Sequence, residues 1–110
     1  MENNIQITLL LDIYGALLTE RQRKALLMHY DEDLSLGEIA ELTGISRQGV
    51  RDNIKRAEHL LFEYEKALGL LEKDNKQKEL LSDIITMVKT KKSSDIIIDK
   101  LKKLNKTLED

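Results

Sequence analysis

Four cations, Arg47, Arg51, Lys55 and Arg56, fall inside the stretch GISRQGVRDNIKRA (44–57), where Asp52 is the only acid. Four bases against one acid give this stretch a balance of +3, in a chain of 110 residues whose formal charge is −2. Arg47, Arg51 and Lys55 recur every four residues, which on a helix makes one exposed row. Guanidinium and ammonium groups in such a row suit phosphate oxygens. Ser46 stands just before them, at a helix start whose unpaired backbone N–H groups can hold an anion. Arg47 and Gln48 are chemically able to read guanine and adenine edges. Ser46, Arg47, Gln48, Arg51, Lys55 and Arg56 are therefore the candidate nucleic-acid-binding residues.

That row faces outward only if something fixes the inner face of its helix. Val50, Ile54, Ala57, Leu61, Tyr64, Leu68 and Leu71 supply an apolar stripe at spacings of three and four, implying a long fourth helix. Before it, Ser35 and Glu38 form a capping-box pattern that opens a short third helix ending at Thr43, with Leu36, Ile39, Ala40 and Leu42 apolar. Gly44 follows the last turn, where a glycine can take positive φ. Ala40 is small where the next helix crosses above it, and Ile39, Ile45 and Val50 fill the wedge between the two helices. This is the pattern of a helix-turn-helix, whose second helix can enter a major groove.

The flanking segments read as further helices. A first helix spans about 7–18, with Leu10, Tyr14, Leu17 and Leu18 at helical spacing. Thr19 and Gln22 form a second capping box, opening a helix to about Tyr30 with Leu26 and Leu27 apolar. Residues 72–79, EKDNKQKE, are polar and read equally as solvated helix or loop. A helix over 80–89 follows, with Leu81, Ile84, Ile85 and Val88 apolar, then a break with Ser94 as N-cap. A last helix carries Ile97, Leu101, Leu104 and Leu108. The expected fold is all-α: residues 1–71 a helix-turn-helix domain with its long fourth helix, and 72–110 a charged helical extension used for packing or dimerisation.

Composition bounds the alternatives. Hydrophobic residues make up 41% and charged residues 35%, which fits a soluble helical protein with a thin aliphatic core. With no cysteine there is no disulfide framework and no thiol nucleophile. No proline interrupts a helix. His29 and His59 are thirty residues apart without ligand-spaced partners, so neither a metal nor a cofactor is expected. Neither a glycine-rich phosphate loop nor a nucleophile–base–acid set stands out, and the expectation is a non-enzymatic protein. The N-terminal apolar run lacks a basic flank and is interrupted by Asp12, so the reading is cytoplasmic, with neither signal peptide nor membrane span. Tyr14, Tyr30 and Tyr64 sit at core-facing positions and read as packing residues. Residues 72–106 hold ten lysines against six acids, read as a solvated surface or as an auxiliary contact to RNA or an acidic protein. The apolar seam beyond Leu61 is covered either by the C-terminal helices or by a second copy, a homodimer being favoured, and Gly69 within it marks a close helix crossing or the end of the rod.

Residues 18–61, LTERQRKALLMHYDEDLSLGEIAELTGISRQGVRDNIKRAEHLL, resemble region 4 of bacterial sigma factors. A more specific resemblance is to the YlxM family of small bacterial proteins. It is carried by Leu17-Leu18-Thr19 with Gln22, by Asp33-Leu34-Ser35-Leu36 with Glu38-Ile39-Ala40, and by Ser46-Arg47-Gln48 with Val50, Asp52-Asn53-Ile54 and Arg56. The chain departs from the family pattern at Gly49, usually Ala, and at Arg51, usually Tyr. The resemblance implies an all-helical, sigma-region-4-like regulator, often dimeric, linked to the signal recognition particle and its RNA or GTPase. From the residues themselves three targets stay open: duplex DNA read by sequence, structured RNA, or an acidic protein docked on the basic row.

Overall fold

The computed structural model describes residues 2–90 and 93–109. Among them are six α-helices and no strand: α1 (Glu2–Tyr14), α2 (Glu20–Leu26), α3 (Leu36–Thr43), α4 (Arg47–Leu68), α5 (Leu70–Lys89) and α6 (Ser94–Glu109). A 3-10 turn (Gly15–Leu17) follows α1, and a π turn (Leu27–Asp31) follows α2. The all-α expectation holds. None of these helices is long and apolar enough to cross a membrane.

The chain divides into two compact units, Met1–Gly69 and Leu70–Asp110. In the first, α4 packs against α1, α2 and α3. Ile7, Leu10, Leu11, Tyr14 and Leu18 repeat at intervals of three and four, so one side of the N-terminal segment is buried. Ala25 and Leu26 of α2, Ile39 of α3, and Val50, Ile54, Ala57 and Leu61 of α4 complete the core. Burying one such aliphatic side chain stabilises the fold by roughly 1.5–3 kcal/mol. Both capping boxes form. Thr19 Oγ1 accepts from the Gln22 N–H at 3.2 Å while Gln22 Oε1 accepts from the Thr19 N–H at 3.1 Å. Ser35 and Glu38 exchange the same pair of bonds, each 3.1 Å.

Several boundaries differ from the sequence reading. The apolar stripe through Leu71 is not one helix: α4 stops at Leu68, because Gly69 takes a left-handed conformation (φ +63°) and its N–H closes on Glu65 O. Leu71 belongs to α5, which starts at residue 70 and carries the polar stretch 72–79 as helix. The helix expected up to Tyr30 loosens into the π turn after Leu26. Of the apolar residues placed at helical spacing, Leu42 and Leu17 are 68% and 57% exposed. α6 begins at Ser94, so the residue in cap position is Ser93, whose carbonyl accepts from the Ile97 N–H.

In the second unit α5 and α6 pack together as a helical hairpin. Leu71 and Ile84 of α5 are buried, and no residue of α6 is. Leu81, Ile85, Val88, Ile96, Ile98, Leu101 and Leu108 remain exposed by 45% or more.

Candidate nucleic-acid interface

The turn between α3 and α4 is built by three residues. Thr43 ends α3. Gly44 adopts φ +74° and its N–H closes on Ala40 O at 2.9 Å. Nothing lies within 4 Å of where its side chain would stand, so backbone conformation alone selects glycine there. Ile45 is half-buried and Ser46 is extended. Ser46 Oγ then accepts from the Gly49 N–H at 3.0 Å, capping α4. Ile39 and Val50 are both 1% exposed and hold the two helices together across the turn, as the wedge reading requires.

The buried set Val50, Ile54, Ala57 and Leu61 fixes the rotation of α4. At 3.6 residues per turn, Gln48 and Asp52 lie opposite that set, with Lys55 and Arg56 on either side of them. Arg51 lies on one flank, and Arg47 on the same flank nearer the buried side. All six are exposed. Among the described residues none of Arg47, Arg51, Lys55 and Arg56 takes part in an ion pair. The predicted residues are all exposed, but Arg47 and Arg56 are half a circumference apart on the helix, and the six are not equivalent. The Ser46 hydroxyl is occupied as a cap. The Arg47 guanidinium lies over Gly37 of α3: a methyl group added there would meet Nη2 at 2.8 Å and Nε and Cζ at 3.1 Å. Gln48 Nε2 donates to Asp52 Oδ1 at 2.9 Å.

Other features were not read from the sequence. Tyr14 Oη donates to Glu65 Oε1 at 2.6 Å, and Tyr30 Oη donates to Glu58 Oε2 at 3.1 Å. Both acceptors lie on α4, two turns apart. Tyr14 is fully buried, as expected of a packing residue, whereas Tyr30 and Tyr64 are half-buried. Burial, reinforced by the Glu58 charge and hydrogen bond, pushes the Tyr30 phenol up to about 12. Glu38 is held below the usual carboxylate range by the Ser35 backbone N–H and hydroxyl. A groove of about 430 Å³ opens between α2, α3 and α4, lined by Arg21, Lys24, Met28, Leu42, Ile45 and Asn53 among others. The exposed Leu42 belongs to it. The tyrosine–glutamate pairs join residues 51 and 28 positions apart, a distance at which local spacing carries no signal. Glycine inside a helix costs about 1 kcal/mol, and at Gly37 and Gly49 close neighbours account for it. At Gly49 a Cβ would stand 2.7 Å from Ile45 Cγ2, so an alanine there requires Ile45 to move.

A short α3, a left-handed glycine and an α4 whose first turns are buried on one side and cationic on the other define a helix-turn-helix protein. The comparison with known families agrees. Residues 1–104 match UPF0122, described as "Putative helix-turn-helix protein, YlxM / p13 like", and the chain belongs to that family. It is 46% identical over 105 residues to a UPF0122 protein of Clostridium kluyveri, covering 93% of this chain and 94% of the relative. It is 43% identical over 109 residues to one from Halalkalibacterium halodurans, covering 99% of each. A UPF0122 protein of Clostridium botulinum is 43% identical over 93 residues, covering 84% of this chain and 85% of the relative.

Proposed function

We propose that this protein is a non-enzymatic cytoplasmic regulator that binds nucleic acid through the exposed face of α4. One observation carries the reading: Arg51, Lys55 and Arg56 project from the helix that follows the left-handed turn, with no acid paired to them. Such cations neutralise phosphates and release counterions, so binding weakens steeply with salt. The chain's net charge of −2 makes the attraction local to this face. The resemblance to the YlxM family supports placing the regulator in the signal recognition particle pathway, acting on the particle's RNA or GTPase.

The test is a salt-dependent titration of signal recognition particle RNA, an unrelated structured RNA and random duplex DNA, with Arg47→Ala/Arg51→Ala as the comparison variant. Preference for the particle's RNA, abolished in the variant, is the result expected if the pathway role is right. Preference for duplex DNA removes the RNA part of that role and leaves a DNA-binding regulator. No binding to any of the three rejects the nucleic-acid reading and leaves the basic row to an acidic protein.

The hairpin supports a homodimer. Its exposed leucines, isoleucines and valine give two amphipathic helices more apolar surface than they cover between themselves. Light scattering at tens of micromolar is expected to give twice the monomer mass, and Ile85→Glu/Leu101→Glu the monomer mass. A wild-type monomer under those conditions ends this reading.

A further inference from the structure

The residue on α4 that a phosphate-binding role explains least is Asp52. It is the only acid between Arg47 and Ala57, and it lies on the ridge farthest from the buried face. A helix entering the groove of a polyanion would lead with this carboxylate. Lys55 and Arg56 stand three and four residues further on, within reach along the helix. Neither forms an ion pair with it, nor does Arg51. Instead Gln48 Nε2 holds Asp52 Oδ1 at 2.9 Å. The carboxylate is therefore oriented but not neutralised. The second carboxylate oxygen is not engaged by this bond, and the Gln48 carbonyl oxygen remains an acceptor beside it.

An ionised carboxylate accepts hydrogen bonds and donates none. In the major groove cytosine presents an amino donor at N4, whereas guanine presents acceptors at N7 and O6 and thymine an acceptor at O4. A fixed carboxylate at the tip of α4 thus favours cytosine, repels guanine and thymine, and suits adenine less well because its N6 donor stands beside the N7 acceptor, at the cost of weaker binding to phosphate everywhere. We infer that Asp52, held by Gln48, is a specificity-determining residue that reads the N4 amino group of a cytosine in the major groove of B-form DNA. Arg51, Lys55 and Arg56 on either side supply the phosphate contacts that offset its charge. The inference rests on the proposed nucleic-acid role of α4 and takes its duplex-DNA branch over the RNA one, because the major groove of A-form RNA is too deep and narrow for this readout.

The experiment is selection of bound sequences from a random duplex DNA pool by the full chain and by Asp52→Asn, followed by titration of the enriched site and of random duplex. The asparagine keeps an oxygen for Gln48 and adds a donor, and its exposed position leaves the core untouched. The wild type is expected to enrich a site with one fixed cytosine and to bind it about ten-fold more tightly than the same site with thymine there. Asp52→Asn is expected to shift that position towards adenine and to bind random duplex several-fold more tightly. An unchanged base preference in the variant overturns the inference while leaving DNA binding intact, as does a wild type that binds duplex but enriches no sequence. A wild type that binds structured RNA and no duplex also overturns it, with the nucleic-acid role standing. Binding to neither overturns both.

Discussion

Three lysines of the hairpin and the cations at the start of α4 are used in opposite ways. Lys76, Lys78 and Lys103 each lie within 3.5 Å of an acid four residues earlier, Glu72, Asp74 and Asp99. Such surface pairs stabilise a helix by only about 0.3–0.5 kcal/mol each, but they neutralise the charge where it arises. On the first turns of α4 no acid is spent that way, and the charge faces outward. The apolar residues show the reverse contrast: α4 buries Val50, Ile54, Ala57 and Leu61, while the hairpin leaves Leu81, Ile85, Val88, Ile98 and Leu101 exposed. The start of α4 presents unpaired charge above a buried face. The hairpin presents apolar surface and pairs three of its lysines. Raw lysine and arginine counts conceal this pairing.

The largest effect that bears on the contrast is in the core. Leu61→Ala is expected to destabilise the first unit by about 2–5 kcal/mol in chemical denaturation. Leu101→Ala should cost less than about 1 kcal/mol if its side chain stays half in water. A larger, concentration-dependent loss at Leu101 would mean that a second copy completes the hairpin's core, making the two units more alike than they look. Next comes charge. Removing Arg51, Lys55 and Arg56 together should lower the salt slope of nucleic-acid binding by about one for each phosphate left without its cation. Removing Lys76, Lys78 and Lys103 should leave the slope unchanged, and equal reductions from the two sets would erase the distinction drawn from ion pairing. The smallest effect is spectroscopic. All three tyrosines lie in the first unit, so alkaline titration of phenol absorbance reports on that unit alone. Tyr30 should ionise near pH 12 rather than 10. Its folded-state value is raised, so the stability it contributes is complete below about pH 10 and is lost as the pH climbs towards 12. A single tyrosine transition near 10 in the folded protein would show that Glu58 does not hold the phenol.

Local chemistry made much of this legible. Thr19–Gln22, Ser35–Glu38, Gly44 and Ser46 each act over four residues or fewer, and each is found where its spacing places it. The inner face of α4 followed from periodicity. Periodicity alone misled at Leu71, because a stripe continues across a left-handed glycine that ends the helix beneath it. Leu42 looked like core for the same reason: its spacing is right, but α3 is too short for its last turn to be covered. Within the site, residue types and exposure were readable, whereas side-chain pairing was not. That Arg47 seats on Gly37 and that Gln48 holds Asp52 depends on rotamers and on the crossing of two helices.

The two phenol–carboxylate bonds to α4 have a geometric consequence. Glu58 and Glu65 are seven residues apart, nearly two full turns, so Tyr14 and Tyr30 grip the same side of the helix. They act like keys on a shaft, holding by hydrogen-bond direction the azimuth that the aliphatic core sets. The basic face lies upstream on the same rod, so its bearing is a phase counted in residues from those keys. Deleting the one residue between Arg56 and Glu58, the buried Ala57, would shift Arg51, Lys55 and Arg56 by about 100° relative to the keys and carry Val50 and Ile54 out of the core with them, so keys and core must agree in phase.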